Sequence, residues 1–420
     1  MILKKPEVKN IVVIGGGFAG LWAAAAAARM ADQLDKPVSI TLVNRDDQHS
    51  IRVRNYEADL APTLVPLHEV LDPIGVELVV GNVADIDTRQ CLVRVDMVGQ
   101  PSATLPYDKL VLASGSRLVR PPLPDVDIRS FDIDTYAQAL RLQRHIEALP
   151  TLAPRPGQYT AVVIGSGATG VELGCELPDR LRAVARASGA PNAEAQVRVL
   201  LVDSNAVIAA HLGGAQPVIE QACRALGIEL MPGVSVTALD TTGITLSNGA
   251  HIDTATVVWC AGMRANDLTA CIAAEHDAQG RLFVDAFMRV EGVPDVFAAG
   301  DVAHALIDGE HPSVMSCQHA RPMGRFAGYN AVCELFGHDM LALDIDWYTN
   351  IIDLGPAGAV YAQGWDRVVV AQGEQAKATK NVINRERIYP PRNGNRADIL
   401  AAAAPDLQRP PVLKPLNPKG

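Results

Sequence analysis

Apolar positions gather first into a short, continuous, β-branched run, Asn10 to Gly15, followed by glycines and a long alanine-rich stretch. Such a run predicts a strand buried on both faces of a parallel sheet, and the alanine-rich stretch predicts a helix packed on that sheet. Ser39 to Asn44 repeats the strand pattern, so the three segments make a βαβ unit of the length a parallel crossover needs. The same order of events returns later. Thr160 to Gly165 reads as a strand, Gly165 to Gly170 as a turn, Val171 to about Ala187 as a helix and Val197 to Asp203 as the following strand. The chain therefore reads as α/β with two Rossmann-like units.

Between the units, the proline-rich stretches Arg117 to Asp127 and Leu149 to Gln158 read as crossovers, because proline interrupts helices and sheet ladders alike. They put a first domain boundary near Arg120. The most apolar stretch, Leu21 to Ala28, is bounded by Arg29 and Asp32 and falls well short of the roughly 20 residues that span a bilayer. The start of the chain runs directly into the first strand with no room for a secretory leader. Beyond Tyr389 the chain is rich in Pro, Asn and Gly, and its last fifteen or so residues are expected to be extended or mobile.

Each glycine turn carries the G-x-G-x-x-G spacing of a dinucleotide fingerprint. In the first, Gly15 permits the tight turn, Gly17 lets the backbone approach a pyrophosphate, and Gly20 lets helix and strand pack closely. Phe18 and Ala19 lie between them at the helix start, where free amides and the helix dipole favour an anion. The second is Gly165, Gly167, Ala168, Thr169 and Gly170, and its partner strand ends in Asp203. That carboxylate can accept from a ribose 2′-hydroxyl and would repel a 2′-phosphate, which favours NADH over NADPH; its other reading is a turn cap. The first unit departs from the pattern: its strand ends in Asn44, followed by Arg45, where an acid is usual. Asn44 can still bond ribose, with less charge assistance.

Composition narrows the picture. With 420 residues, 48% hydrophobic and 20% charged, the chain can bury two or three cores, and its net charge of -10 offers no footprint for nucleic acid. Seven cysteines without a CxxC or CxxxxC pair exclude the dithiol of disulfide reductases and fit a reducing compartment, read as the cytoplasm.

The segments GGGFAG, YDKLVLASGS (107 to 116), GSGATGVELGCEL (165 to 177), VVWCAGMRAN (257 to 266), VPDVFAAGDVA (293 to 303) and SCQHARPMG (316 to 324) together resemble the FAD-dependent pyridine nucleotide reductases. These are two-dinucleotide-binding-domain flavoproteins, and the resemblance is strongest to the type II NADH dehydrogenase branch; it runs from about Ile11 to about Leu335. It implies a discontinuous FAD domain, residues 1–120 with 262–342, interrupted by an NADH domain, 121–261, and followed by a small α+β region, 343–420, with a flexible tail. It implies FAD contacts at Ala113, Ser114, Gly115, Gly262, Gly300 and Asp301, the last facing the ribityl chain; a helix cap is the plainer reading of Asp301. The helix that starts near Cys317 is implied to aim its N-terminus at the flavin, with Gln318 and His319 beside the ring.

In that branch this helix resembles AQxAxQ and contributes to a quinone site. Here it reads CQHARP, with Pro322 at the second glutamine, which weakens quinone as the acceptor. Glu172 is implied to lie near nicotinamide and flavin, as a positioning group or proton relay, against the plainer role of complementing a helix dipole. His49, Arg52 and Arg54 read either as cations facing a pyrophosphate or anionic substrate, or as solvated charge. Beyond Leu335 the resemblance weakens. No apolar helix face flanked by basic residues is visible there, so a soluble relative is expected, with short strands and one polar helix. The segment Tyr348 to Trp365 could serve a homodimer interface. The functional reading is hydride transfer from NADH to FAD and on to a small-molecule acceptor. The alternatives are oxidation of an organic substrate by FAD and a redox-sensing partner protein.

Overall fold

The first apolar run forms the strand Lys9–Ile14 at the centre of a five-stranded sheet, in a computed structural model that describes residues 8–411 and 413. The strand order is Val296–Ala298, Lys109–Leu112, Lys9–Ile14, Val38–Asn44, Glu77–Val80, and every pairing is parallel. Strand order reverses beside Lys9–Ile14, which pairs with Val38–Asn44 on one side and Lys109–Leu112 on the other. A crevice at the carboxyl ends of the strands is where open α/β sheets take ligands.

The helix Phe18–Gln33 buries every residue from Leu21 to Ala28, so it has no solvent face on that stretch. The cause is a second helix, Cys317–Phe336, laid along its other side. A Cβ at Gly324 would lie 2.1 Å from the Ala19 carbonyl oxygen, and one at Gly328 would lie 2.0 Å from that of Ala23. Small residues on both helices let the backbones approach this closely, which explains an alanine run without an amphipathic stripe.

The second unit repeats the plan with the parallel order Ile228–Pro232, Arg198–Asp203, Thr160–Ile164, Thr256–Trp259 and the helix Ala168–Ala187. Its chain leaves and re-enters through an antiparallel pair, Ser116–Leu118 with Met263–Ala265. Gly262 is needed there: its φ is +95°, and a Cβ would meet the Val119 carbonyl oxygen at 2.4 Å.

Thr349–Asp353, Ala359–Gln363 and Val368–Gln372 form an antiparallel sheet followed by the polar helix Gly373–Val382. The aromatic residues of this region are spent within the chain: Tyr361 is fully buried, and Tyr348 stacks on Trp365 at 4.6 Å. The stretch after Tyr389 is more ordered than its composition suggests. Asn395 caps a helix, Arg396–Ala402, by accepting from the Ala397 and Asp398 amides, and Arg396 pairs with Asp32 at 2.6 Å. Within the stretch expected to be extended or mobile, Leu407 to Pro411 run without helix or strand and line a cleft; 412 and 414–420 lie outside the described residues. Among the described residues, no helix is long and apolar enough to cross a membrane.

Candidate active site

Both glycine turns are built alike, and each is braced by the residue that ends its neighbouring strand. In the first, the Gly16 amide donates to Asn44 Oδ1 at 2.9 Å, while Asn44 Nδ2 donates to the carbonyls of Asp46 and Gln48 at 3.0 and 3.3 Å. In the second, the Ser166 amide and hydroxyl donate to Asp203 Oδ2 at 2.7 and 2.6 Å, and the Asn205 amide and Nδ2 donate to Oδ1 at 2.8 and 2.9 Å. Burial opposes the Asp203 charge, but the bonds from Ser166 and Asn205 prevail and hold its carboxyl below the usual range. Four donors occupy its lone-pair directions, so its negative charge, more than a spare acceptor, is what would oppose a 2′-phosphate.

Gly15 and Gly165 take φ of +108° and +102°, conformations closed to most L-residues. Gly20 and Gly170 touch the backbone: a Cβ would lie 1.7 Å from the Gly15 carbonyl oxygen and 1.8 Å from that of Gly165, respectively. Gly17 differs in kind, being exposed, with nothing within 4 Å of a Cβ built on it. Neither helix Phe18–Gln33 nor helix Ala168–Ala187 has a side-chain cap or an acid in its first turn, which leaves their first amides for a ligand. Ala168 and exposed Thr169 open the second helix, as Phe18 and Ala19 open the first. Arg45 projects to solvent beyond Asn44.

Three buried polar atoms around the first turn lack a partner: Ser114 Oγ, Ser316 Oγ and His49 Nε2. A bound nucleotide would satisfy such atoms. Ala113 packs against Gly15, and Gly115 has φ +73° with open space beside it. Gly300 (φ +73°) lets Asp301 turn in beside Ser116, whose hydroxyl donates to Asp301 Oδ2 at 2.6 Å. Arg52 stands 3.9 Å from Asp301, donates to Ser116 Oγ at 3.0 Å, and pairs with Asp134, tying this corner to the crossover.

The rest of the His49 to Arg54 cluster is not a cation site. His49 donates through Nδ1 to the Gly16 carbonyl at 2.9 Å, and burial lowers its pKa to about 4, so it is neutral. Arg54 is held by Glu57 at 2.6 Å and by the Tyr389 hydroxyl at 2.6 Å. With those charges absorbed, the cluster gives no support to the organic-substrate alternative.

The strand Thr349–Asp353 connects the two residues singled out for chemistry. At one end, Thr349 donates to Gln318 Oε1 through its amide at 3.1 Å and its hydroxyl at 2.8 Å. At the other, the Asp353 amide donates to Glu172 Oε1 at 3.1 Å. Glu172 lies in the second turn of its helix and is nearly buried; it does not serve as a first-turn acid. Its partner is Lys380, 2.5 Å away, which also donates to the Ile351 carbonyl at 2.8 Å. Burial raises the Glu172 pKa, against the pull of Lys380. Asp353 in turn accepts from Lys377 at 2.5 Å and from the Tyr56 hydroxyl at 3.2 Å. Lys380, Asp353 and Tyr56 were not foreseen, since a polar helix without an apolar face gives no sign of a buried cation.

At the start of helix Cys317–Phe336, burial pushes the Cys317 thiol up, so it is not a poised thiolate. His319 is fully buried and accepts from the Val314 amide at 2.9 Å through Nδ1; burial lowers it to about 4. Gln318 lines a cleft open to solvent, with Pro322, Trp347, Ile388 and Leu407 among its walls. Arg321 and Arg325 also line it, one helical turn apart and stacked over Trp22 at 5.6 and 4.3 Å. Burial and the neighbouring Arg321 charge push Arg325 down to about 9, leaving it protonated at neutral pH. Two arginines four residues apart in ARPMGRFAG were a signal available in the sequence.

Comparison with known proteins shows the family. Residues 9–324 match the pyridine nucleotide-disulphide oxidoreductase family. An NADH dehydrogenase-like protein of Mycobacterium tuberculosis is 51% identical over 95% of this chain and 99% of its own. A type II NADH:quinone oxidoreductase of the same species is 30% identical over 70% of this chain and 66% of its own. In fold, the structure of NDH2 from Plasmodium falciparum in complex with NADH superposes with a TM-score of 0.77 over 94% of this chain and 98% of that one, at 12% identity.

Proposed function

The chain belongs to the pyridine nucleotide-disulphide oxidoreductase family and is an enzyme that uses FAD and NADH, and from that premise we propose that it passes electrons from NADH to a small, quinone-like acceptor in the cleft beside Gln318. One observation carries the reading: the strand Thr349–Asp353 joins Gln318 at that cleft to Glu172 on the NADH-side helix. All seven cysteines are free thiols, and the two that hydrogen-bond each other, Cys175 and Cys223, are fully buried in the core of the second unit.

The residues present fit FAD at the first turn. Gly15, Gly17, Phe18, Ala19 and Gly20 would hold its diphosphate, Asn44 would brace the turn, and Ser114, Asp301 and Ser116 would face its sugar chain. The free amides at Cys317 and Gln318 would stabilise negative charge on the ring, while the His319 amide donates to the Ser316 carbonyl. When bound, FAD supplies the two-electron carrier between NADH and acceptor. The second turn, with Asp203, would hold NADH. Glu172 and Lys380 form a buried pair 2.5 Å apart; delivery of one proton from this pair as the acceptor takes up a hydride equivalent would complete its reduction.

Anaerobic rapid mixing of the purified protein with NADH, followed by visible flavin absorbance, tests the reading. Bleaching by NADH and recovery on adding a naphthoquinone are expected. A protein that cannot be reconstituted with FAD, or a flavin that NADH leaves oxidised, would overturn it.

A further inference from the structure

Resting on that reading, we propose that the cleft selects an acceptor with a fixed negative charge on an apolar ring, the charge being bound by Arg321 and Arg325. Four arginines line the cleft and no carboxylate does. Arg409 is paired with Asp346 at 2.7 Å, and Arg387 donates to the Arg409 carbonyl at 2.8 Å. Arg321 and Arg325 have neither kind of partner among the described residues, and the Nε of each is buried without an acceptor. Arg325 is only 6% exposed.

A stacked ring stabilises a guanidinium by less than withdrawing the ion from water costs. The contact with Trp22 therefore leaves a deficit, and like charges one helical turn apart enlarge it. A core built for packing would place leucine or methionine here. A carboxylate or sulfonate offers each guanidinium paired acceptors and removes the deficit. Pro322, Trp347, Ile388 and Leu407 supply the apolar walls for the ring that carries it. The Arg321 charge also reaches His49 at the first turn, so Arg325 is the arginine that tests the cleft.

Holoenzyme is titrated by calorimetry with 2-naphthoate and with 2-naphthamide, neither of which is reducible here. NADH-reduced holoenzyme is then reoxidised with 1,4-naphthoquinone-2-sulfonate and with menadione. The native protein should bind naphthoate about tenfold more tightly than the amide. Arg325→Met should bring both the binding ratio and the ratio of reoxidation efficiencies close to parity, Arg325→Lys should restore part of each, and FAD content should stay unchanged. Arg325→Met should also melt no lower than native, because the Asp406 charge acts on Arg325 without forming an ion pair and the variant removes a buried charge. Equal binding of naphthoate and naphthamide by native protein, or loss of FAD from Arg325→Met, overturns the proposal. If NADH fails to bleach the flavin, the preceding reading falls, and calorimetry still decides this one.

Discussion

Replacing Gly324 by alanine tests whether the backbone contact between the two central helices governs flavin binding. The new Cβ would sit 2.1 Å from the Ala19 carbonyl oxygen, about 1.3 Å short of ordinary contact at 3.4 Å. Backbone forms the obstacle, so no side chain can swing away; the helices must part or tilt. Overpacking of this kind costs about 1–3 kcal/mol, of which up to about 1 kcal/mol is returned by alanine's better helix propensity. Ala19 belongs to the turn proposed to hold the FAD diphosphate, so the strain should reach the cofactor. The expected result is a lower melting temperature together with weaker FAD retention, read by denaturation and by flavin titration of apoprotein. Gly328→Ala is the control: its clash with the Ala23 carbonyl oxygen is as severe, at 2.0 Å, but lies one turn farther from the glycine loop. It should cost similar stability and less FAD affinity. Unchanged melting and FAD affinity in Gly324→Ala would refute the reasoning.

Lys380→Met should destabilise the fold by about 3–5 kcal/mol in urea, because it leaves Glu172 buried without its cation, and adding Glu172→Gln should recover much of the loss. Burial raises the Glu172 pKa, so its contribution is present below the unfolded carboxyl pKa and is lost as pH rises through the folded value. That loss should be larger in Lys380→Met and absent in the double variant. Asp203→Asn should reduce the preference for NADH over NADPH by about tenfold in steady-state kcat/KM; an unchanged ratio would show that the charge at this position does not select the cofactor. Asn44→Asp exchanges the donor toward the Asp46 and Gln48 carbonyls for a carboxylate facing Asp46. It should lower the melting temperature at pH 7 by more than at pH 3, where the introduced acid is largely protonated.

The elements that build both nucleotide turns were legible because their signals are local. Four apolar residues and a glycine specify a buried strand and its turn, and the edges at Asn44, Asp203 and Cys317 fell within a residue or so of the strands and helix found. The alanine helix was legible as a helix, but its reason was not, since the partner glycines lie three hundred residues away. The same holds for Glu172 and Lys380, separated by 208 positions: two charged residues become a buried pair only through the strand between them. Asn44 reads as a defect in a fingerprint until Asp46 and Gln48 are seen to need its amide. Asn395 as a helix cap and Leu407 to Pro411 as cleft walls were not legible, because each role depends on what the chain packs against.

The first parallel sheet takes its last strand, Val296–Ala298, from about 180 residues beyond Lys109–Leu112, its neighbour. A ribosome adding roughly 5–20 residues per second would leave the flank of Lys109–Leu112 uncovered for about 10–40 s. During that interval the nascent chain displays an unpaired row of amides and carbonyls, open to any extended segment that meets it. Biosynthesis of this enzyme is therefore expected to depend on chaperones until residue 298 has left the exit tunnel, and truncations just short of that point should aggregate.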